Sequence, residues 1–302
     1  MNHLAQRFQL ANWPLWAGGL VVALLVAMSL VPARFASGEP VQPLFVQAGG
    51  QFVTTPQPPG TFGYVLGSDT YGRDVWAQLV YGSRYTLGFG LVAATLRVVI
   101  GMVLGLWAGW FGGWSDTVTA ALAAAFSAVP ALILAWGPLS LANSVLDFNG
   151  SLVVWMLVLA VLGWAETLTA ARTWTTALQH RLFIEAARVN GQTEWGILAR
   201  HIWPHLRGLV LIQVAFEMSA ILLTIAELGY FQVFLGGGVY DDFLGRTVNI
   251  FPEWGGMIAG ARSAFLTYPW LTFVPLAGFI LAIVGFNLLA EGLRRARDRA
   301  LG

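Results

Sequence analysis

Six runs of apolar residues dominate the chain, at about 13–31, 85–110, 117–141, 151–171, 209–229 and 269–289. A helix of about 20 residues crosses a hydrocarbon core of ~30 Å, so each run is long enough to span a membrane. The runs are apolar on all sides and lack the alternation of a membrane strand. Lipid offers no partner for free backbone groups, so each run is expected to be a helix. The pattern predicts an all-α, polytopic membrane protein with six transmembrane helices. The first run is long for a signal peptide, has only Arg7 before it and no A-x-A site after it, and reads as a retained helix. Pro130 and Pro138 predict a kink in the third run. Trp13, Trp110, Trp114, Trp254 and Trp270 fall near run ends and read as interfacial anchors.

The polar positions between the runs set the orientation. With the N-terminus in the cytoplasm, the inner side carries Arg7, Arg172, Arg181, Arg188, Arg200, Arg207, Arg294, Arg295, Arg297 and Arg299. The outer side carries Arg34, Arg73, Arg84, Arg246 and Arg262. Ten against five follows the positive-inside rule and puts both termini in the cytoplasm. Three segments separate the runs more widely. Residues 32–63 are rich in Pro and Gly and nearly uncharged, which predicts an extended outer segment without its own core. Residues 230–267 form a second outer segment, and residues 172–208 a large inner one. The chain therefore divides into an N-terminal part (1–84, the first helix and its outer segment) and a five-helix core (85–302).

Composition narrows the chemistry. Only 10% of the 302 residues are charged, 57% are apolar and mean hydropathy is +0.68. A soluble domain carries about a quarter charged residues, so this chain cannot coat a soluble surface. Cysteine is absent, which removes disulfides and thiolate chemistry. All 16 basic residues are arginine. Without lysine there is no complete GxxxxGK[ST] phosphate loop, so the chain does not hold a nucleotide in that manner. The net charge of +1 and the lack of an outlying basic stripe argue against nucleic acid as a partner.

The most informative stretch is FIEAARVNGQTEWGILARHIWPH, residues 183–205. Gly191 can end one helix in the left-handed conformation, and Thr193 can cap the next. Trp195, Leu198 and Ile202 then share one apolar face, and Pro204 is expected to stop the helix. Periodicity leaves two readings open. The pair of short helices either seals against lipid headgroups or fits a groove on a soluble partner.

This stretch resembles the EAA loop of bacterial ABC-importer permeases in Glu185, Ala186, Ala187, Gly191 and Pro204. Its ending, Arg200, His201, Ile202 and Pro204, is similar to the dipeptide/oligopeptide/nickel branch, with Trp203 where leucine is usual. Further segments agree in order: LGSDTYGRDVWAQLVYGSRYTL from Leu66, AGWFGGWSD from Ala108, PEWGGMI from Pro252 and FNLLAEGLR from Phe286. Tyr64 and Val65 stand where His-Pro is usual. The resemblance implies a C-type permease subunit with the type I importer fold, in the cytoplasmic membrane of a bacterium. It implies a sister permease as heterodimer partner, two ATP-binding cassette subunits that hold ATP and Mg, and an extracytoplasmic substrate-binding protein. It implies no cofactor or metal on this chain and a non-catalytic role. The coupling residues it marks are Glu185, Ala186, Ala187, Gly191, Trp195, Leu198, His201, Ile202 and Pro204. Glu185 is expected to bond backbone amides of the loop or a partner arginine. The cargo class it implies is peptides or similar small solutes.

Charges inside the runs carry a second set of expectations. An arginine in mid-membrane costs about 2.5–3.5 kcal/mol on insertion scales, so Arg97 should face protein or water. Arg97, Glu166 and Glu217 are candidates for the translocation path, or for a structural ion pair. The alternative function, a self-contained proton- or ion-coupled carrier, rests on the same residues and leaves the EAA loop unexplained. Asp69, Arg73, Asp74, Asp241 and Asp242 are candidates for docking the binding protein; the first three are also placed to cap the second helix. His201 and His205 have helical metal-ligand spacing but no third ligand nearby.

Overall fold

The computed structural model describes residues 12–38, 40–41, 47–48, 51–52, 54–241, 246–248 and 251–301. Among them are the helices α1 (Trp13–Leu30), α2 (Val75–Phe111), α3 (Gly113–Ser127), α4 (Ala131–Val145), α5 (Phe148–Leu162) and α6 (Trp164–Gln179). They are followed by α7 (Leu182–Val189), α8 (Glu194–Ile197), α9 (Trp203–Tyr230), α10 (Trp254–Ala261) and α11 (Trp270–Leu301). Two short antiparallel ribbons lie between α1 and α2 and between α9 and α10: β1 (Gln47–Ala48) with β2 (Gln51–Phe52), and β3 (Val239–Asp241) with β4 (Arg246–Val248).

Five helical runs are long and apolar enough to cross a membrane, and the bent pair α3–α4 makes a sixth. The expected spans hold, with changed ends. The second helix starts at Val75, not near residue 85, because the Asp74 carboxylate accepts from the Trp76 amide at 2.9 Å and caps it. The division at residue 84 therefore falls inside α2. The third span is broken rather than kinked: α3 and α4 meet at 79° across the residues before Ala131. Pro130 sits at the break, where its missing amide is needed by no carbonyl, while Pro138 is accommodated inside α4. The fourth span is a 32-residue run, Phe148–Gln179, divided at Gly163 between α5 and α6.

Close backbone approach holds the bundle together. On α2, Gly101, Gly105 and Gly109 form one stripe against α6. A Cβ at these positions would lie 2.6 Å from Thr167, 2.5 Å from the Leu168 carbonyl and 2.8 Å from the Arg172 carbonyl. Small residues four apart allow helices to pack this tightly where the hydrophobic effect between them is absent. A main core joins α1, α2, α4, α5, α9, α10 and α11 around Trp155, Met218, Trp254 and Phe279. A second core, at the end of the bundle that bears α7 and α8, gathers Val98, Met102, Trp110, Ile184, Ile197, Ile202 and Leu206. Two tryptophans expected at the interface are core residues instead: Trp110 is 3% exposed and Trp254 is fully buried. Trp13 and Trp114 are exposed, as anchors should be.

Candidate functional site

The segment after α6 turns twice before it re-enters the bundle. Helix α7 ends in a motif set by Gly191, whose φ of +73° is the left-handed conformation. The Gly191 amide donates to the Arg188 carbonyl at 3.0 Å and the Gln192 amide to the Ala187 carbonyl at 3.2 Å. These are the two bonds of a Schellman cap. A Cβ on Gly191 would meet nothing, so the requirement for glycine lies in the backbone alone. The Thr193 hydroxyl then accepts from the Gly196 amide at 3.1 Å and starts α8. Arg188 and Glu194 pair across the elbow at 3.4 Å, and the His201 ring pairs with the Gln192 amide side chain at 2.9 Å.

The second helix does not stop at Pro204. It passes through a π turn at Leu198–Ile202 straight into α9, where Pro204 occupies the first turn. The wider turn makes room for a ring that would clash with the carbonyl four residues back. The expected apolar face of Trp195, Leu198 and Ile202 is split between the two sides of the loop. Ile184, Ala187, Ile197 and Ile202 are buried, each isoleucine worth roughly 1.5–3 kcal/mol of burial. Leu198 is half-buried, and Trp195 is 66% exposed with its ring 5.4 Å from that of Phe111. Glu185 and Ala186 point outward. Glu185 makes no bond to the loop's own amides among the described residues. The loop is thus a rigid knob: its back is cemented to α2, α6 and α9, and its front presents Leu182, Glu185, Ala186, Val189 and Trp195. His205 bonds the His201 carbonyl at 2.7 Å and does not converge with His201 on a common point.

Arg97 is buried at 3% exposure and reaches between three helices. Its Nη1 donates to Glu217 on α9 at 3.0 Å, while Nε and Nη2 donate to the Leu159 carbonyl on α5 at 3.0 and 2.7 Å. Glu217 also accepts from the Thr167 hydroxyl on α6 at 2.7 Å. A Cβ on Gly163 would lie 2.2 Å from the guanidinium carbon, so glycine at the α5–α6 break leaves the space that Arg97 fills. Arg97 therefore makes the structural ion pair that was one of its two expected roles, and braces α2 against α5 and α9. Glu166 is exposed and, with Gln213, Glu217 and Asn287, lines an open cavity of about 370 Å³ beside α9 and α11.

At the other end, the acids near α2 serve their own chain. Asp69 accepts from the amides of Tyr71 and Arg73 and from the Arg73 guanidinium at 2.7 Å, and Asp74 is the cap already described. Burial pushes the Asp74 carboxyl above its ordinary value, opposed by the amides of Trp76 and Ala77. Asp241 belongs to β3, and Asp242 lies outside the described residues.

Glu253 went unnoticed in the sequence. It is fully buried and caps α10 through the amides of Gly255, at 2.8 Å, and Gly256. Burial outweighs those bonds and pushes its carboxyl up to about 7. Next to it the Trp254 indole donates to the Leu79 carbonyl at 2.8 Å and locks α10 onto α2. The only advance signal was an acid directly before an apolar, glycine-rich run.

Residues 101–302 match the family described as binding-protein-dependent transport system inner membrane component. The glutathione transport system permease protein of Pectobacterium atrosepticum is 28% identical over 78% of this chain and 72% of its own length. The dipeptide transport system permease protein of Alkalihalophilus pseudofirmus is 29% identical over 77% of this chain and 71% of its own. The oligopeptide transport system permease protein of Escherichia coli is 28% identical over 78% of this chain and 72% of its own. With membrane-crossing helices and an outward-facing loop between α6 and α9, the chain belongs to that family: it is a permease subunit of an ABC importer, built into the inner membrane.

Proposed function

We propose that this permease carries peptides or peptide-like solutes, and that the knob formed by α7, the Gly191 elbow and α8 couples it to a separate ATPase. The names of the relatives support the cargo class. The observation that carries the coupling reading is the two-sidedness of the knob. Ile184, Ala187, Ile197 and Ile202 face the bundle, while the front sets apolar Leu182, Val189 and Trp195 among the charged Glu185, Arg188 and Glu194, a mixed surface that suits a groove on a soluble partner better than lipid. The knob faces the cytoplasm in this reading, with both termini on that side. Two ATP-binding cassette subunits hold ATP and Mg, a sister permease completes the pathway, and a substrate-binding protein delivers cargo from outside. Closure of the ATPases moves the knob as one lever, because its back is fixed to three helices.

The test is Gly191→Pro in the assembled importer. Proline cannot adopt φ of +73° and removes the amide that bonds Arg188. The expected outcome is normal membrane insertion, with ATP hydrolysis no longer stimulated by the loaded binding protein and uptake lost. Uptake at the normal rate per ATP would overturn the assignment.

A further inference from the structure

At the end of the bundle that bears the knob, a cavity of about 890 Å³ opens between the α6–α7 turn, the start of α9 and the end of α11. Its lining is divided by chemistry. Trp174, Leu206 and Leu209 make an apolar floor, and His180, Arg181, His205 and Arg297 stand around the mouth. The neighbours of Arg297 have an acidic partner: Arg294 and Arg295 share Glu291, at 2.6 and 2.7 Å. Arg181 and Arg297 have no acidic partner among the described residues; Arg297 reaches only the His205 carbonyl, at 3.4 Å. Two unneutralised guanidiniums over an apolar cleft, at the level where membrane helices end, match an amphiphile with an anionic head.

We propose that this cavity binds an anionic phospholipid of the inner leaflet, with its phosphate between Arg181 and Arg297 and an acyl chain along Trp174 and Leu209. Basic pockets between membrane helices on the cytoplasmic side suit such headgroups, and each guanidinium near the surface adds to the attraction. A guanidinium fork also matches two phosphate oxygens geometrically, which a zwitterionic headgroup offsets with its own cation. Arg181 is the residue directly before α7, so the bound lipid would brace the root of the knob. The proposal rests on the orientation given above, which sets the cavity mouth against the inner leaflet.

The experiment is native mass spectrometry of the assembled importer, delipidated and then offered phosphatidylglycerol, phosphatidylcholine or inorganic phosphate. Wild type is expected to retain phosphatidylglycerol and not phosphatidylcholine. The double substitution Arg181→Gln/Arg297→Gln is expected to lower that retention at least tenfold, while Arg181→Lys/Arg297→Lys restores most of it. Arg34→Gln/Arg84→Gln at the opposite end serves as the control and is expected to change nothing. Equal retention of both lipids, equal retention by wild type and the double glutamine variant, or displacement of the lipid by millimolar phosphate would each overturn the proposal. The same spectra report whether ATPase subunits stay attached. Lipid lost with ATPases retained upholds the lipid site alone; lipid retained without ATPases sinks the coupling reading and spares the lipid site.

Discussion

Arg97 and Leu159 are joined by two hydrogen bonds, of 3.0 and 2.7 Å, from one guanidinium to one main-chain carbonyl. That carbonyl lies in the last turn of α5, next to the break at Gly163. The third arm of the same guanidinium holds Glu217 on α9. One buried side chain therefore fixes the relation of α2, α5 and α9.

Removing one member of this node leaves the other charge uncompensated. Arg97→Met or Glu217→Met alone should destabilise the bundle by about 3–5 kcal/mol. The double substitution Arg97→Met/Glu217→Met should recover much of that loss, because it removes both buried charges. Thermal unfolding of the purified complex in nanodiscs, followed for all four members of the cycle, checks the ordering.

Gly163→Ala places a methyl group in the space of the guanidinium. The expected result is a drop in the melting temperature close to that of Arg97→Met. In the Arg97→Met background the same alanine should cost little, since the obstruction is gone. Additive losses in that pair of measurements would break the link between the glycine and the arginine.

Glu253 gives the α10 end of the bundle a pH dependence. Folded, its carboxyl keeps a proton up to about 7; unfolded, it releases the proton near its ordinary value of 4.5. Between these values the folded state binds more protons, so its stability falls as pH rises and levels off above about 7. Protection of the α10 amides in hydrogen exchange should weaken from pH 5 to 7.5, after correction for intrinsic rates, by ~tenfold or more. Glu253→Gln, which keeps an acceptor for the cap, should flatten that trend.

Ala186 and Ala187 are neighbours with opposite surroundings, one exposed and one 4% exposed against the second core. Ala186→Asp should leave stability within about 0.5 kcal/mol of wild type and weaken ATPase attachment. Ala187→Asp should destabilise the loop itself, by several kcal/mol, through an unpaired buried charge. Co-purification of ATPase subunits, read beside the melting temperature, separates the two.

The membrane spans were legible because an apolar run of sufficient length has few alternatives in lipid. The Gly191 elbow was legible because a left-handed residue between two helical stretches asks for glycine. Pro204 misled, since a proline that ends a helix and one in a helix's first turn look alike without the preceding π turn. Ile202 misled through periodicity: the π turn at Leu198–Ile202 shifts the phase, so Ile202 turns inward with Ile197 while Trp195 stays exposed. The partner of Arg97 was one of several acids at distant positions, and only the crossing of α2 with α9 selects Glu217. Trp254 and Trp110 lie close to span ends in the sequence, yet neighbouring helices cover both.

The π turn at Leu198–Ile202 joins α8 to α9, so Glu194–Tyr230 is one 37-residue rod, about 55 Å from end to end. Near its far tip, Gly229 abuts the Gly255 backbone so tightly that a Cβ would sit 2.5 Å from the Gly255 carbonyl oxygen. A push at Trp195 is carried along one unbroken helical run. Tilting the near tip by a few degrees would swing the far one by ångströms, and α10, wedged against it, would have to follow.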